Sequence, residues 1–286
     1  MNIYVLALFD AVRRFVDHDG FMRCSHIALT MMLALFPFCI FVLSLAVLVG
    51  PTTDVTYLMD FVFGSWPEQV AAPIQREVLR VLQNTDSGSL TFGAVFTLFF
   101  ASNGVEALRL GITRAYRDHD PRPFWRTRIQ SLVFIFGAAA LIFVSGTVSV
   151  AIPLYLSYVE DAVGVVPAEW LTFLSTDLVQ FVVLGCALLI GVVACHKFLP
   201  GLRRPVSDLM PGILLSIVLW LAGAKAFGFY VAQFSRYSVT YAGLAGVMAA
   251  LMFLYAMGAI FILGAEFNGA LIARRENATA DASEQG

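Results

Sequence analysis

Residues 241–275 read "YAGLAGVMAALMFLYAMGAIFILGAEFNGALIARR". The apolar run exceeds the roughly 20 residues that cross about 30 Å of hydrocarbon. A surface helix would carry a polar face along its whole length, and this one does not. Its polar groups gather at one end: Glu266 and Asn268, then Arg274 and Arg275. The segment Tyr241–Ala273 is therefore read as a membrane span. Two questions follow from it: how many more such segments exist, and why this one ends in a glutamate and an asparagine.

Five more segments have the required length and apolarity: Ser25–Val49, Leu90–Leu110, Ile129–Ala151, Asp177–Leu199 and Leu209–Val231. The composition agrees. Of 286 residues, 59% are hydrophobic and 13% charged, against about 25% charged in a typical soluble domain, and the mean hydropathy is +0.80. The net charge of −2 decides little, because its distribution matters more. The expected fold class is all-α, a polytopic membrane bundle of six transmembrane helices with amphipathic interfacial helices added.

Lysine and arginine set the orientation. Arg13, Arg14 and Arg23 precede the first span. Arg109, Arg114, Arg117, Arg122, Arg126 and Arg128 surround the second loop. Lys197, Arg203 and Arg204 lie in the fourth, and Arg274 and Arg275 follow the last span. The alternate loops hold only Arg76 and Arg80, none, and Arg236, and the third carries Glu160, Asp161 and Glu169. Basic loops stay in the cytoplasm, so both termini are expected there.

The chain divides into a juxtamembrane segment 1–24, a six-span domain 25–273 and a disordered tail 274–286. In the first, Val5, Leu8, Phe9, Val12, Phe15 and Val16 share one helical face, as in a helix lying in the interface. The first outer loop holds "PEQVAAPIQREVLRVLQN" (67–84), with Val70, Ile74, Val78, Val81 and Leu82 at helical spacing. That is a second amphipathic helix. The cysteines Cys24, Cys39, Cys186 and Cys195 avoid the outer loops and are read as packing residues.

Polar groups inside the spans converge on one depth. Asn103 and Glu106 fall about 20–24 Å into the second span at about 1.5 Å per residue. His196 ends the fourth, Glu266 and Asn268 end the sixth, and Ser25 and His26 open the first. A carboxylate at mid-membrane costs about 2.5–3.5 kcal/mol and faces the bundle or a wet cavity. Glu106 and Arg109 pair at i,i+3, and Arg274 follows Glu266 on the same side. Asn103, Glu106, Arg109, His196, Glu266 and Asn268 are thus a candidate cytoplasm-facing pocket for a headgroup or ion. The competing reading is that the carboxylates only anchor the bundle. Lys225 lies in the outer part of the fifth span, to snorkel outward or attract a lipid phosphate. Pro37, midway through the first span, removes a backbone hydrogen bond and weakens or kinks the helix, a candidate hinge.

Catalytic signals are sparse. The chain has no Gly-rich phosphate loop, HExxH, GxSxG or CxxC pair, so no cofactor, metal or catalytic residue is assigned and no enzyme is expected. Two DHD triplets, 17–19 and 118–120, have adjacent side chains that diverge. The arginines of "ITRAYRDHDPRPFWRTR" suit topology and anionic lipid better than nucleic acid.

Three stretches, "HIALTMMLALFPFCIFVLSL" (26–45), "SNGVEALRLGITRAYRDHDPRPFWRTRI" (102–129) and "YAGLAGVMAALMFLYAMGAIFILGAEFNGAL" (241–271), together resemble the YihY/virulence factor BrkB family of bacterial inner-membrane proteins. The chain departs from the family's usual Trp before the last-span Tyr, having Phe253-Leu254-Tyr255. The resemblance implies a six-span protein linked with envelope lipid or lipopolysaccharide export. It also brings an older label, ribonuclease BN, with which the residues do not agree. The expectation is a protein that transports or handles an envelope lipid, with membrane lipids and envelope proteins as partners. A non-transporting scaffold is the alternative, and a ribonuclease is disfavoured.

Overall fold

The computed structural model describes residues 3–49, 71–72, 75–76, 90–151, 155–156, 158–159, 177–202, 204–234 and 242–284. Among them the chain forms seven long α-helices and no strand: α1 Ile3–Asp17, α2 Gly20–Val49, α3 Leu90–Thr113, α4 Phe124–Gly146, α5 Asp177–Phe198, α6 Val206–Phe234 and α7 Ala242–Glu284. Five of them contain stretches long and apolar enough to cross a membrane: Gly20–Cys39, Phe124–Ser149, Phe181–Phe198, Val206–Val231 and Gly246–Ala280. The remaining expected span, Leu90–Leu110, is helical throughout as part of α3. Apart from four residues, the helix expected in the first outer loop lies outside the described residues.

α7 is the axis of the bundle and packs on α6, α1, α2 and α3. Its turns from Met257 to Leu271 bury Phe261, Ile262, Ala265, Phe267 and Ala270. A helix that is apolar all round needs neighbours all round. α4 and α5 instead show broad apolar faces, with Ile129, Val133, Phe181 and Ile190 exposed. In lipid such faces are at no disadvantage, and close helix contact comes from small residues. The α6–α7 crossing depends on this. A Cβ at Gly264 would overlap Ser216 Oγ and lie 2.7 Å from the Gly212 carbonyl oxygen.

α1 shows both halves of its pattern. Val5, Phe9, Val12 and Val16 stay exposed, while Ala7 and Ala11 are fully buried against Phe267, Ala270 and Leu271 of α7. The sequence revealed the outward apolar stripe. The docking face is made of alanines, which no hydrophobicity pattern singles out.

Two expectations change. From Arg274 the chain goes on as helix, because α7 continues to Glu284. Three ion pairs flank it: Arg274–Asp10 at 2.5 Å, Arg275–Asp208 at 3.8 Å, and Arg204–Glu276. Its alanines and glutamates also favour helix. The juxtamembrane segment does not reach residue 24, because α1 ends at Asp17 and the span-bearing α2 starts at Gly20. α2 runs through Pro37 as one helix. The break in regularity falls instead after α4, where Thr147–Ala151 form a π turn.

Candidate functional site

The polar residues of α3 face α4 and the turn between them. Arg109, only 4% exposed, donates to both oxygens of Glu106, at 2.6 and 2.9 Å, and to Asp120. Ser131 of α4 donates to Glu106 at 3.3 Å. Asp120 also accepts the Arg122 Nε–H at 2.8 Å and its backbone N–H at 3.0 Å. Arg122 reaches on to the Leu199 carbonyl at 2.5 Å, tying this turn to the end of α5. Burial raises the Asp120 carboxyl, but the hydrogen bonds and charges of Arg122 and Arg109 outweigh it, so its pKa lies below the ordinary aspartate value. Asn103 lies to one side and accepts from Arg128 at 2.9 Å, whose guanidinium covers the Phe99 ring at 4.3 Å.

Glu266 belongs to a different cluster. It is 1% exposed and bound from α1 and the turn after it: His18 Nδ1 lies 2.7 Å from one oxygen, and Arg14 Nε donates to the other at 3.3 Å. Arg14 also donates to the Ala115 carbonyl at 2.9 Å. Arg274, expected to be available to Glu266, pairs with Asp10 instead.

Asn268 completes a weakened helix. Pro211 sits in the second turn of α6, where its ring disturbs the local backbone ladder. The Asn268 carbonyl oxygen accepts the Gly212 N–H at 2.7 Å, and its amide donates to the Leu209 carbonyl at 2.9 Å and to Tyr116 Oη at 3.3 Å. Burial pushes the Tyr116 phenol above its ordinary pKa. His196 is fully buried, donates from Nδ1 to the Val192 carbonyl at 3.1 Å, and packs on the Phe261 ring at 4.7 Å.

The six expected pocket residues are therefore not gathered in one pocket. Depth along each span was legible, but facing was not. Glu106 and Arg109 turn to α4, Glu266 to α1, Asn268 to α6, and His196 to an aromatic wall. Lys225 is exposed on α6.

The open space lies beside them. A cleft of about 490 Å³ runs between the α1–α2 corner and the end of α3. Arg23, His26, Arg114, Arg117 and His119 line it together with Asp19, Asp118 and Asp120. Met22, Ala107 and Leu110 add apolar groups to the lining, and Met22 and Leu110 are exposed. The corner is tight. Asp19 has φ 56°, and a Cβ on Gly20 would lie 2.5 Å from the Phe15 carbonyl oxygen. Asp tolerates the left-handed region better than most residues, and Gly alone fits the approach. The cleft takes in His26 and parts of both DHD triplets, which the sequence alone offers no reason to bring together. The triplets meet by neighbourhood: His18 serves Glu266, while Asp19, Asp118, His119 and Asp120 line the cleft. Among the described residues no group of three His, Cys, Asp or Glu is placed to hold a metal ion.

Comparison with known proteins covers nearly the whole chain. The family model described as virulence factor BrkB matches residues 11–286. A ribonuclease-like protein of Bacillus subtilis (strain 168), YfkH, is 27% identical over 92% of this chain and 94% of its own length. A UPF0761 membrane protein of Yersinia pestis (strain Pestoides F) is 28% identical over 50% of this chain and 48% of its own. No solved structure matches.

Proposed function

The chain belongs to the virulence factor BrkB family, and we propose that it holds an envelope lipid, or another amphipathic molecule, by its headgroup and lets it change leaflet. In this reading the protein crosses the bacterial inner membrane six times, α3 included, with both termini in the cytoplasm. The positive-inside distribution of arginine supports that orientation, and it puts the cleft between α2 and α3 on the cytoplasmic side.

The observation that carries the reading is the mixed lining of the cleft. Arginines and histidines share it with Met22 and Leu110, whose side chains are exposed. A headgroup fits the charged groups while its chains stay in the bilayer against the apolar ones. The buried clusters are then the frame, holding α1, α3 and α6 around α7. No nucleotide-binding motif is present in the sequence, so movement is downhill, ion-coupled or driven by a partner. We take the protein not to be an enzyme.

The test is a leaflet-resolved assay on the purified protein in liposomes. Accelerated exchange of a labelled lipid between leaflets is the expected result. No exchange of any candidate lipid, with and without an ion gradient, would favour the scaffold reading.

A further inference from the structure

We infer, on the reading of the cleft given above, that its headgroup site selects a net-anionic phosphate ester, recognised by Arg23, Arg114 and Arg117. These guanidiniums come from two elements: Arg23 from α2, and Arg114 and Arg117 from the turn after α3. Their contacts leave them short of negative charge. Arg23 donates to the His18 carbonyl at 2.6 Å and the Leu110 carbonyl at 3.3 Å. Arg117 donates to the Gly201 carbonyl at 3.2 Å. Both sets of partners are neutral. Arg114 alone touches a carboxylate, Asp118 at 2.6 Å, which is 85% exposed, and its Nε is buried with no hydrogen bond among the described residues. Arg23 and Arg114 also stand close enough to repel one another.

The acids of the cleft do not close this account. Asp120 is engaged by Arg109 and Arg122. Asp118 is held by Arg114. Asp19 attracts Arg23 from a distance, as does Glu266, which Arg14 and His18 already engage; the Asp19 carboxylate itself makes no hydrogen bond or ion pair among the described residues. Three guanidiniums thus face two available carboxylates and keep one positive charge. The forked donors of arginine match phosphate oxygens better than a point charge does. A phosphodiester without an amine cancels the surplus, whereas a zwitterionic headgroup leaves it in place.

The experiment uses the full chain in detergent and measures equilibrium binding of three probes: short-chain phosphatidylglycerol, phosphatidylcholine of the same chain length, and inorganic phosphate. We expect phosphatidylglycerol to bind about tenfold more tightly than phosphatidylcholine, because the two share the phosphate and only the choline leaves the surplus arginine charge uncancelled. Arg117→Gln and Arg114→Gln should each shrink that ratio without lowering the melting temperature by more than a few degrees. Asp19→Asn, which keeps a residue tolerant of positive φ, should raise phosphatidylglycerol affinity. Equal binding of the two lipids, unmoved by all three variants, overturns the inference and leaves the amphipathic cleft standing. No binding of either lipid overturns both. Phosphate binding as tightly as phosphatidylglycerol assigns the site to free phosphate and overturns the lipid headgroup. Weaker phosphatidylglycerol binding in Asp19→Asn overturns the anionic selection.

Discussion

His18 Nδ1 lies 2.7 Å from a Glu266 carboxylate oxygen, joining residues 248 positions apart. The contact fastens α1 to α7. Glu266→Leu leaves Arg14 and His18 without their acid and should cost about 1–3 kcal/mol. Glu266→Gln, which still accepts hydrogen bonds, should cost less. Limited trypsin digestion of the reconstituted protein reads this directly: cleavage after Arg13 and Arg14 should quicken in the leucine variant. Unchanged protection of α1 would mean that its alanine face alone holds it.

Asn268 and the α6–α7 crossing form one structural unit. Asn268→Leu removes the hydrogen bonds to the Gly212 N–H, the Leu209 carbonyl and Tyr116 Oη, and a loss of about 1–3 kcal/mol is expected in a detergent-stable unfolding assay. Gly264→Ala should be at least as damaging. Adding Ser216→Ala should recover only part of the loss, because the Gly212 carbonyl would still sit 2.7 Å from the new methyl. Full recovery would mean that the backbones separate easily.

Asp120 gives a pH signature. Its carboxyl is held below the ordinary value, so the folded state binds its proton less readily than the unfolded chain. Its contribution to stability is complete above an unfolded aspartate's pKa of about 3.9 and is lost as pH falls through the lower folded-state value. Asp120→Asn should lower stability by about 1–3 kcal/mol at pH 7. The gap between variant and parent should narrow in acid below about pH 4, as followed by melting temperature. A gap that is constant down to the lowest pH tolerated would contradict the charge pairing.

Reporter fusions test the orientation. Fusions at Asp120, at Arg204 and after the last residue should report cytoplasm, and fusions at Glu77 and Glu160 should report periplasm. A periplasmic result at Asp120 sinks the six-span arrangement and removes the cleft from the cytoplasmic side.

The ribonuclease-like name of one relative makes a further expectation worth stating. Protein purified free of contaminating nuclease should leave RNA intact. Turnover that follows the protein through purification, and vanishes in His119→Ala or His18→Ala, would refute the non-enzymatic reading.

The five long apolar helices were legible because length and apolarity are carried openly by the sequence. Glu106 and Arg109 were legible as a pair because three residues on a helix bring side chains onto one face. Glu266 reads from the sequence as needing a partner, and Arg274 on the same side offers itself, whereas the structure supplies Arg14 and His18. Nearness in sequence is visible, whereas the docking of α1 depends on Ala7 and Ala11, which look like any alanines. Asn268 reads from the sequence as a site residue, and in the structure its amide bonds the Gly212 N–H and the Leu209 carbonyl of α6. Only the crossing of α6 with α7, which no local pattern announces, brings those groups within its reach.

The distance along the chain between His18 and Glu266 also sets an order of assembly. At roughly 5–20 residues per second, about 12–50 seconds separate the emergence of these two residues from a ribosome. During that interval α1 has its exposed valines and phenylalanine to keep it at the membrane surface, and no α7 to dock on. The N-terminal helix is therefore among the last parts to find its place, although it is the first to be made. A stop codon that removes α7 also strips α1 of its berth, at the opposite end of the chain.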